Sequence, residues 1–166
     1  MQGKIYVAVI GSSTPIPDEV REAAEKVGEL LARNGAIIIC GGRGGVMEAV
    51  CRGAKKANGV TVGILPGFTR EEANRYIDIA IPTGIGFARN AINVLAADTV
   101  IAIHGGPGTL SEIGLALAYG KPVILLRGLG GASDFEADLG EYNRLTHEAK
   151  TPEEAVEKAL KLAKQQ

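Results

Sequence analysis

Short apolar runs alternate along this chain with segments whose apolar residues recur every three or four positions. The first run covers residues 4–10, and the segment after it is opened by Pro15 and Pro17 and closed by Asn34-Gly35. Its periodicity predicts an amphipathic helix that follows a buried strand. The alternation continues, with further strands predicted at 36–40, 60–65, 99–103 and 123–126 and helices at 46–57, 87–97, 109–119 and from 151 onward.

Two weaker apolar segments, 76–81 and 144–147, are predicted as additional strands. Continuous apolar strands that alternate with helices are typical of a parallel sheet covered on both faces. We therefore predict one domain over residues 1–166, a three-layer α/β/α fold whose mainly parallel sheet has six or seven strands. In such sheets, ligands bind beyond the carboxyl ends of the strands. The polar stretch 128–140 is predicted to be a loop that could serve as a lid.

Two glycine loops with one shared pattern follow predicted strands. They are Gly41-Gly42-Arg43-Gly44-Gly45 and Gly105-Gly106-Pro107-Gly108-Thr109. In both, a glutamate (Glu48 or Glu112) lies seven residues after the first glycine, inside the predicted helix that follows. Glycines allow tight turns with accessible N–H groups, and a helix start adds about half a positive charge. Each loop is therefore predicted to bind an anion, most simply a phosphate.

The glycine loops do not match two common nucleotide-binding motifs, and one of them also fits a helix cap. The P-loop pattern is absent, and the first strand ends in Gly11-Ser12-Ser13 rather than in a dinucleotide fingerprint, which disfavours NAD. Gly11 and Ser12 remain candidate ligand contacts because they end a strand. A purely structural alternative explains part of the second loop, since Thr109 and Glu112 fit a capping box.

Three further candidates flank the second loop. His104 immediately precedes it and either contacts a ligand or is a hydrogen-bonded structural histidine. Arg89 and Asn90 lie at the start of the preceding helix, where a cation is disfavoured, so a functional reason is favoured for Arg89. Ser111 and Ser133 lack a nucleophile-elbow context, which leaves a Ser-His-Asp hydrolase unsupported.

Composition and charge exclude several classes of function. Glycine is abundant, at 23 of 166 residues, whereas 18 basic residues against 19 acidic ones give a net charge of −1. This balance offers no basic surface for nucleic acid or for an anionic membrane. No apolar stretch approaches the roughly 20 residues of a membrane helix. The two cysteines, Cys40 and Cys51, are too few for a zinc site and predict buried, reduced thiols in a cytoplasmic protein, with no metal.

Together the two loops resemble the LOG-type Rossmann superfamily. That superfamily includes cytokinin-activating phosphoribohydrolases, molybdenum-cofactor carrier proteins and relatives once labelled possible lysine decarboxylases. The resemblance covers residues 4–126 and implies a Rossmann-like fold. Two segments are closer in sequence to the carrier branch. They are Gly-Arg-Gly-Gly-Val-Met-Glu-Ala, which includes Met47, and Ile-Pro-Thr-Gly-Ile-Gly at 81–86. Lysine decarboxylation needs pyridoxal phosphate on a lysine, and no lysine lies near the glycine loops.

In the phosphoribohydrolases the second motif is Pro-Gly-Gly-x-Gly-Thr-x-x-Glu, with an Arg-Lys pair upstream. By position, the resemblance implies that Glu112 and Arg89 are the catalytic residues and that Thr109 is the motif's threonine. Three positions depart from that pattern: His104 replaces the proline, Asn90 replaces the lysine, and Glu48 stands where those enzymes usually have glycine.

Two functions remain open. The chain either carries a phosphate-bearing nucleotide or pterin-type ligand, such as molybdenum cofactor, or it is a phosphoribohydrolase. The enzyme would cleave a nucleoside 5′-monophosphate to free base and ribose 5-phosphate. Glu112 would then orient the ribose or activate water, and Arg89 would stabilise the developing charge. A purely structural or interaction protein is the third alternative, and glycine loops that collapse onto their own side chains and leave no cavity would support it.

The predicted helices at 87–97 and 109–119 carry more apolar surface than the covering of a sheet requires. Apolar surface beyond that face needs another partner. We therefore predict a homodimer or homotetramer with Arg89 near a subunit boundary. The alternative is that the 128–140 loop folds over this surface.

Overall fold

Seven parallel strands form one sheet in the computed structural model, which describes residues 3–165. The strands are Tyr6–Gly11 (β1), Ile37–Cys40 (β2), Thr61–Leu65 (β3), Ile79–Pro82 (β4), Thr99–Ile103 (β5), Val123–Leu126 (β6) and Thr146–Ala149 (β7). Their order across the sheet is β4-β3-β2-β1-β5-β6-β7, and every neighbouring pair is parallel. The predicted fold class is confirmed.

Five α-helices cover the two faces of this sheet. They are Asp18–Arg33 (α1), Val46–Lys55 (α2), Arg89–Leu95 (α3), Pro107–Ala118 (α4) and Pro152–Ala163 (α5). Successive residues of a strand point to opposite faces, so Val7 and Val9 join α1, α2 and α5 in one core. Ala8 and Ile10 join α3 and α4 in the other. The result is the predicted three-layer arrangement, with β1 buried in the middle.

The chain order reverses on the two sides of β1. The chain continues from β1 to β2 on one side, and it returns to the other side of β1 as β5. The connections after β1 and β5 therefore diverge and leave a crevice at the carboxyl ends of these strands, which is where open α/β sheets bind ligands.

The start of α4 differs from the capping-box prediction. The helix begins at Pro107, with Gly106 as the preceding cap residue, and no side chain caps it. Thr109 is therefore buried inside the first turn, and the Glu112 carboxylate accepts a hydrogen bond from Asn93 instead of reaching back. Proline tolerates the first helical position because its missing N–H would have no partner there, which explains the earlier start.

Side-chain capping does occur at the last helix, whose start was predicted at 151–154. The Glu154 N–H donates to Thr151 Oγ1 at 3.2 Å, and the Glu154 carboxylate accepts from the Lys150 N–H at 2.8 Å. Proline follows Thr151 at the first helical position. This start is confirmed.

Two other boundaries shift for identifiable reasons. The strand predicted at 76–81 begins only at Ile79, because the Thr61 side chain binds the backbone before it. Its hydroxyl donates to the Tyr76 carbonyl at 2.6 Å and accepts from the Asp78 N–H at 3.1 Å. The helix predicted at 87–97 is shortened to α3, because Gly86–Ala88 forms a 3-10 turn before it.

Helices α1 and α2 approach each other so closely that their backbones touch. A Cβ at Gly28 of α1 would collide with the Val50 carbonyl of α2, and a Cβ at Gly53 of α2 would collide with the Glu25 carbonyl of α1. Neither glycine has a positive φ, so packing alone requires them. Close by, Cys40 and Cys51 are buried free thiols, with their Sγ atoms 3.6 Å apart, as predicted.

Within residues 3–165, no helix combines the length and the apolar character needed to cross a membrane.

Candidate functional site

A cavity of about 290 Å³ opens at the carboxyl end of β1, and we call it the cleft. One wall is the β1–α1 connection, from Gly11 to Thr14. The opposite wall is the start of α4, and Phe87, Arg89 and Asn90 add a third side. Collapsed loops without a cavity, which would support a purely structural or interaction protein, are therefore not what the described residues show.

The second glycine loop supplies two kinds of glycine to this region. Gly105 has φ +97° and packs against Thr109, so its own conformation requires glycine. Gly106 and Gly108 have no positive φ, and a Cβ at either would meet no atom within 4 Å. Both line the cleft. The fold itself does not require glycine at these two positions. Glycine there leaves the backbone beside the cleft uncovered by a side chain.

A buried carboxylate lies in the cleft beyond these glycines. The Glu112 side chain is only 7% exposed, and its Oε1 accepts a hydrogen bond from Asn93 Nδ2 at 2.9 Å. Burial raises the pKa of Glu112 to about 7, although the Asn93 hydrogen bond and the positive charge of Arg89 act in the opposite direction. Glu112 therefore exchanges its proton near neutral pH.

Arg89 is buried in the same cleft. Its Nη1 donates to the Ile64 carbonyl at 2.8 Å, and its buried Nε has no hydrogen-bond partner. Burial lowers the pKa of Arg89, and the negative charge of Glu112 opposes that shift. Gly41 packs against this guanidinium, where a Cβ would collide with it and with Met47. A partly desolvated guanidinium is a strong site for an anion.

The first glycine loop does not repeat the second in space. The Val46 N–H at the start of α2 donates to the Ser12 carbonyl at 2.9 Å, and Gly45 lies directly against that carbonyl. Protein oxygen atoms thus cap this helix start. From the first motif, Gly41 and Met47 line the cleft, whereas four residues of the loop and its glutamate lie elsewhere: Gly42, Arg43, Gly44, Gly45 and Glu48.

Comparison with known proteins identifies the family of this chain. The model of the SLOG cluster4 family matches residues 4–156. The chain belongs to this family.

Relatives of both predicted kinds are found for this SLOG chain. A cytokinin riboside 5′-monophosphate phosphoribohydrolase from Mycobacterium tuberculosis is 32% identical over 133 residues, which cover 75% of this chain and 71% of the relative. The molybdenum cofactor binding protein of Rippkaea orientalis has a TM-score of 0.85 at 39% identity, with 98% of this chain and 99% of that one covered. The molybdenum cofactor carrier protein of Chlamydomonas reinhardtii has a TM-score of 0.82 at 34% identity, with 96% and 98% covered. The resemblance inferred from the glycine loops is confirmed.

His104, a departure from the enzymes' motif, does not line the cleft of this SLOG chain. Its N–H donates to Ser133 Oγ at 2.9 Å, and its carbonyl accepts from the Ser133 N–H at 3.1 Å. The Gly105 carbonyl accepts from the Ala132 N–H at 2.8 Å. His104 therefore fastens the second loop to the 128–140 segment, and none of residues 128–140 lines the cleft.

Several cleft residues were missed by the sequence analysis. Ser13, Thr14 and Phe87 line the cavity, and Asn93 binds the buried carboxylate. Asn93 had a usable signal, because it lies four residues after Arg89 and so shares its helix face. Asn90, which was predicted, donates to Ser111 Oγ at 3.0 Å beside the cleft.

Proposed function

We propose that this SLOG chain binds a phosphate-bearing small molecule in the cleft and acts as a carrier, with molybdenum cofactor as its cargo. The observation that carries this proposal is the pair Gly106 and Gly108, which the fold itself does not require. Open N–H groups at a helix start, together with the buried Arg89 guanidinium, form the kind of site that phosphate groups bind. The likeness over nearly the whole chain to a molybdenum cofactor binding protein at 39% identity and to a molybdenum cofactor carrier protein at 34% identity supports the same cargo.

The size of the cleft also supports a single phosphorylated heterocycle. A volume of about 290 Å³ lies just below the range of roughly 300–1,000 Å³ typical of ligand pockets, which suits one small ligand. Of the first glycine motif, Gly41 and Met47 line the cleft. We therefore place the phosphate at the start of α4 and leave α2, whose first turn is capped by Ser12, without one.

Hydrolysis of a nucleoside 5′-monophosphate is the second candidate, and the pKa of Glu112 favours it. A carboxylate that titrates near 7 suits general acid–base catalysis. Glu112 would take a proton from water as the water oxygen bonds to the ribose carbon and the bond from that carbon to the base breaks. Glu112 would then give this proton to the departing base, so that one water molecule is divided between the ribose hydroxyl group and the base. Release of adenine from AMP, followed by chromatography and abolished in Glu112→Ala, would establish this activity and exclude a pure carrier.

The matched pair Gly108→Ala and Gly114→Ala tests the phosphate site. Both glycines lie in α4, and a Cβ at either meets no atom within 4 Å. Because alanine favours helix, we expect each variant to be more stable by about 0.5–1 kcal/mol. Only the Gly108→Ala methyl faces the cleft, so only this variant should bind molybdenum cofactor or AMP at least about 10-fold more weakly. Isothermal titration calorimetry and thermal unfolding measure the two effects. Undiminished affinity in Gly108→Ala would exclude the site.

We further propose that the working unit is a homodimer or homotetramer. Exposed apolar side chains on α3, on α4 and directly after α4 support this, namely Ile92, Leu95, Leu110 and Tyr119. Large apolar side chains that remain exposed on neighbouring helices are the kind of surface that a subunit interface buries. We expect light scattering after size exclusion at micromolar concentration to give a mass of two or four chains. A mass near 17.2 kDa would contradict the proposal.

A further inference from the structure

Phe87 lies in the cleft with its ring almost fully open to solvent. The chain contains three phenylalanines and no tryptophan. Two of them, Phe68 and Phe87, are each 84% exposed, but only Phe87 lines the cleft. A large apolar ring that the protein leaves mostly exposed beside a ligand cavity is suited to cover the ligand.

The backbone that carries Phe87 is fixed on both sides. Before it, the Gly84 N–H donates to the Gly67 carbonyl at 2.8 Å, and the Gly86 N–H donates to the Pro66 carbonyl at 2.9 Å. After it, Arg89 is anchored by its hydrogen bond to Ile64. The ring is therefore presented by a braced 3-10 turn and not by a free loop. A braced aromatic group loses little conformational entropy when a ligand stacks on it.

The lining of the cleft combines two kinds of chemistry. The start of α4 and the Arg89 guanidinium provide groups for an anion, whereas Phe87 provides a π face. Any planar heterocycle can stack on such a face without specific hydrogen bonds. A ligand with a phosphate group and a flat ring matches both features.

We propose that Phe87 is the specificity residue of the cleft and selects ligands with a planar heterocycle by stacking on that ring. This inference rests on the proposed function, because it requires a phosphate-bearing ligand in the cleft. Neither Glu112 nor the glycines of the second loop would provide this selection, since they contact polar parts of a ligand.

Two probes and one control variant isolate the ring. Guanosine 5′-monophosphate carries guanine, which shares its amino-oxo-pyrimidine ring with a pterin, whereas ribose 5-phosphate lacks a base. We expect Phe87→Ala to bind guanosine 5′-monophosphate at least about 10-fold more weakly and ribose 5-phosphate less than about two-fold more weakly. Phe68→Ala, which removes an equally exposed ring outside the cleft, should leave both affinities unchanged. Phe87→Trp should retain the affinity for the nucleotide.

Calorimetry with these two probes and with molybdenum cofactor distinguishes the outcomes. Wild-type protein that binds none of the three ligands would overturn the proposed function. If wild-type protein binds a ring-bearing ligand, unchanged affinity in Phe87→Ala would overturn the stacking role alone. An equal loss of affinity for ribose 5-phosphate would also overturn the stacking role, because Phe87 would then serve the fold of the cleft. A fall in the mass of Phe87→Ala to that of one chain would overturn it as well, because Phe87 would then serve a subunit contact.

Discussion

Glu112→Gln is expected to stabilise the protein in alkaline solution while removing its acid–base group. Burial raises the pKa of Glu112 from 4.5 to about 7, so the folded state holds a proton that the unfolded state has released between these values. Stability from this group is fully present below pH 4.5 and is lost as the pH rises through 7. Glutamine has the same shape and no charge, and it can still accept the hydrogen bond from Asn93. At pH 8.5 the variant should therefore gain up to about 3 kcal/mol in unfolding free energy.

Urea denaturation at pH 5 and at pH 8.5 measures this gain. The difference between Glu112→Gln and wild type should be small at pH 5 and large at pH 8.5. Glu48→Gln, at an exposed position of α2 outside the cleft, is the matched control and should follow the wild type at both pH values. A gain of equal size at both pH values would show that protonation of Glu112 is not its cause.

Gly28→Ala and Gly53→Ala are expected to destabilise the protein strongly. Each methyl group would enter the space of a backbone carbonyl in the facing helix, which cannot move without separating α1 from α2. Overpacking of this kind costs up to about 3 kcal/mol and outweighs the gain of about 1 kcal/mol that alanine brings to a helix. Denaturant midpoints measure the loss.

The opposite sign is expected for Gly114→Ala, whose methyl group points into open space. Gly-to-Ala substitution at Gly28 and at Gly114 therefore separates two effects on stability: the close packing of two helices and the helix propensity of alanine. A stabilised Gly28→Ala protein would mean that the two helices can separate freely, contrary to their close packing.

Local patterns predicted most of the fold, because strand burial and helix periodicity are encoded in neighbouring residues. β6 has the predicted limits, 123–126, and the buried positions of α1 follow the expected spacing. The errors arise where a distant residue intervenes. Thr61 holds the backbone before β4, fifteen residues along the chain from its partner Tyr76, and no local pattern contains that contact.

The same distinction applies to the cleft. The sequence identified Arg89, Glu112 and the second glycine loop, and these residues do lie together. It could not distinguish the two glycine loops, because their difference comes from the Ser12 carbonyl that caps α2. Phe87 also escaped notice, since only the three-dimensional structure shows that its ring is left uncovered beside the cavity.

The position of β1 between the two halves of the sheet has a consequence during synthesis. Gly41 belongs to one half of the cleft and Gly106 to the other, and 65 residues separate them. At about 5–20 residues per second, a ribosome needs roughly 3–13 s to add the second half after the first. A nascent chain therefore passes through a stage with a partly formed sheet and only one half of the cleft. The two halves of the cleft can come together only after α4 has emerged and docked, about 50 residues before the 166-residue sequence ends.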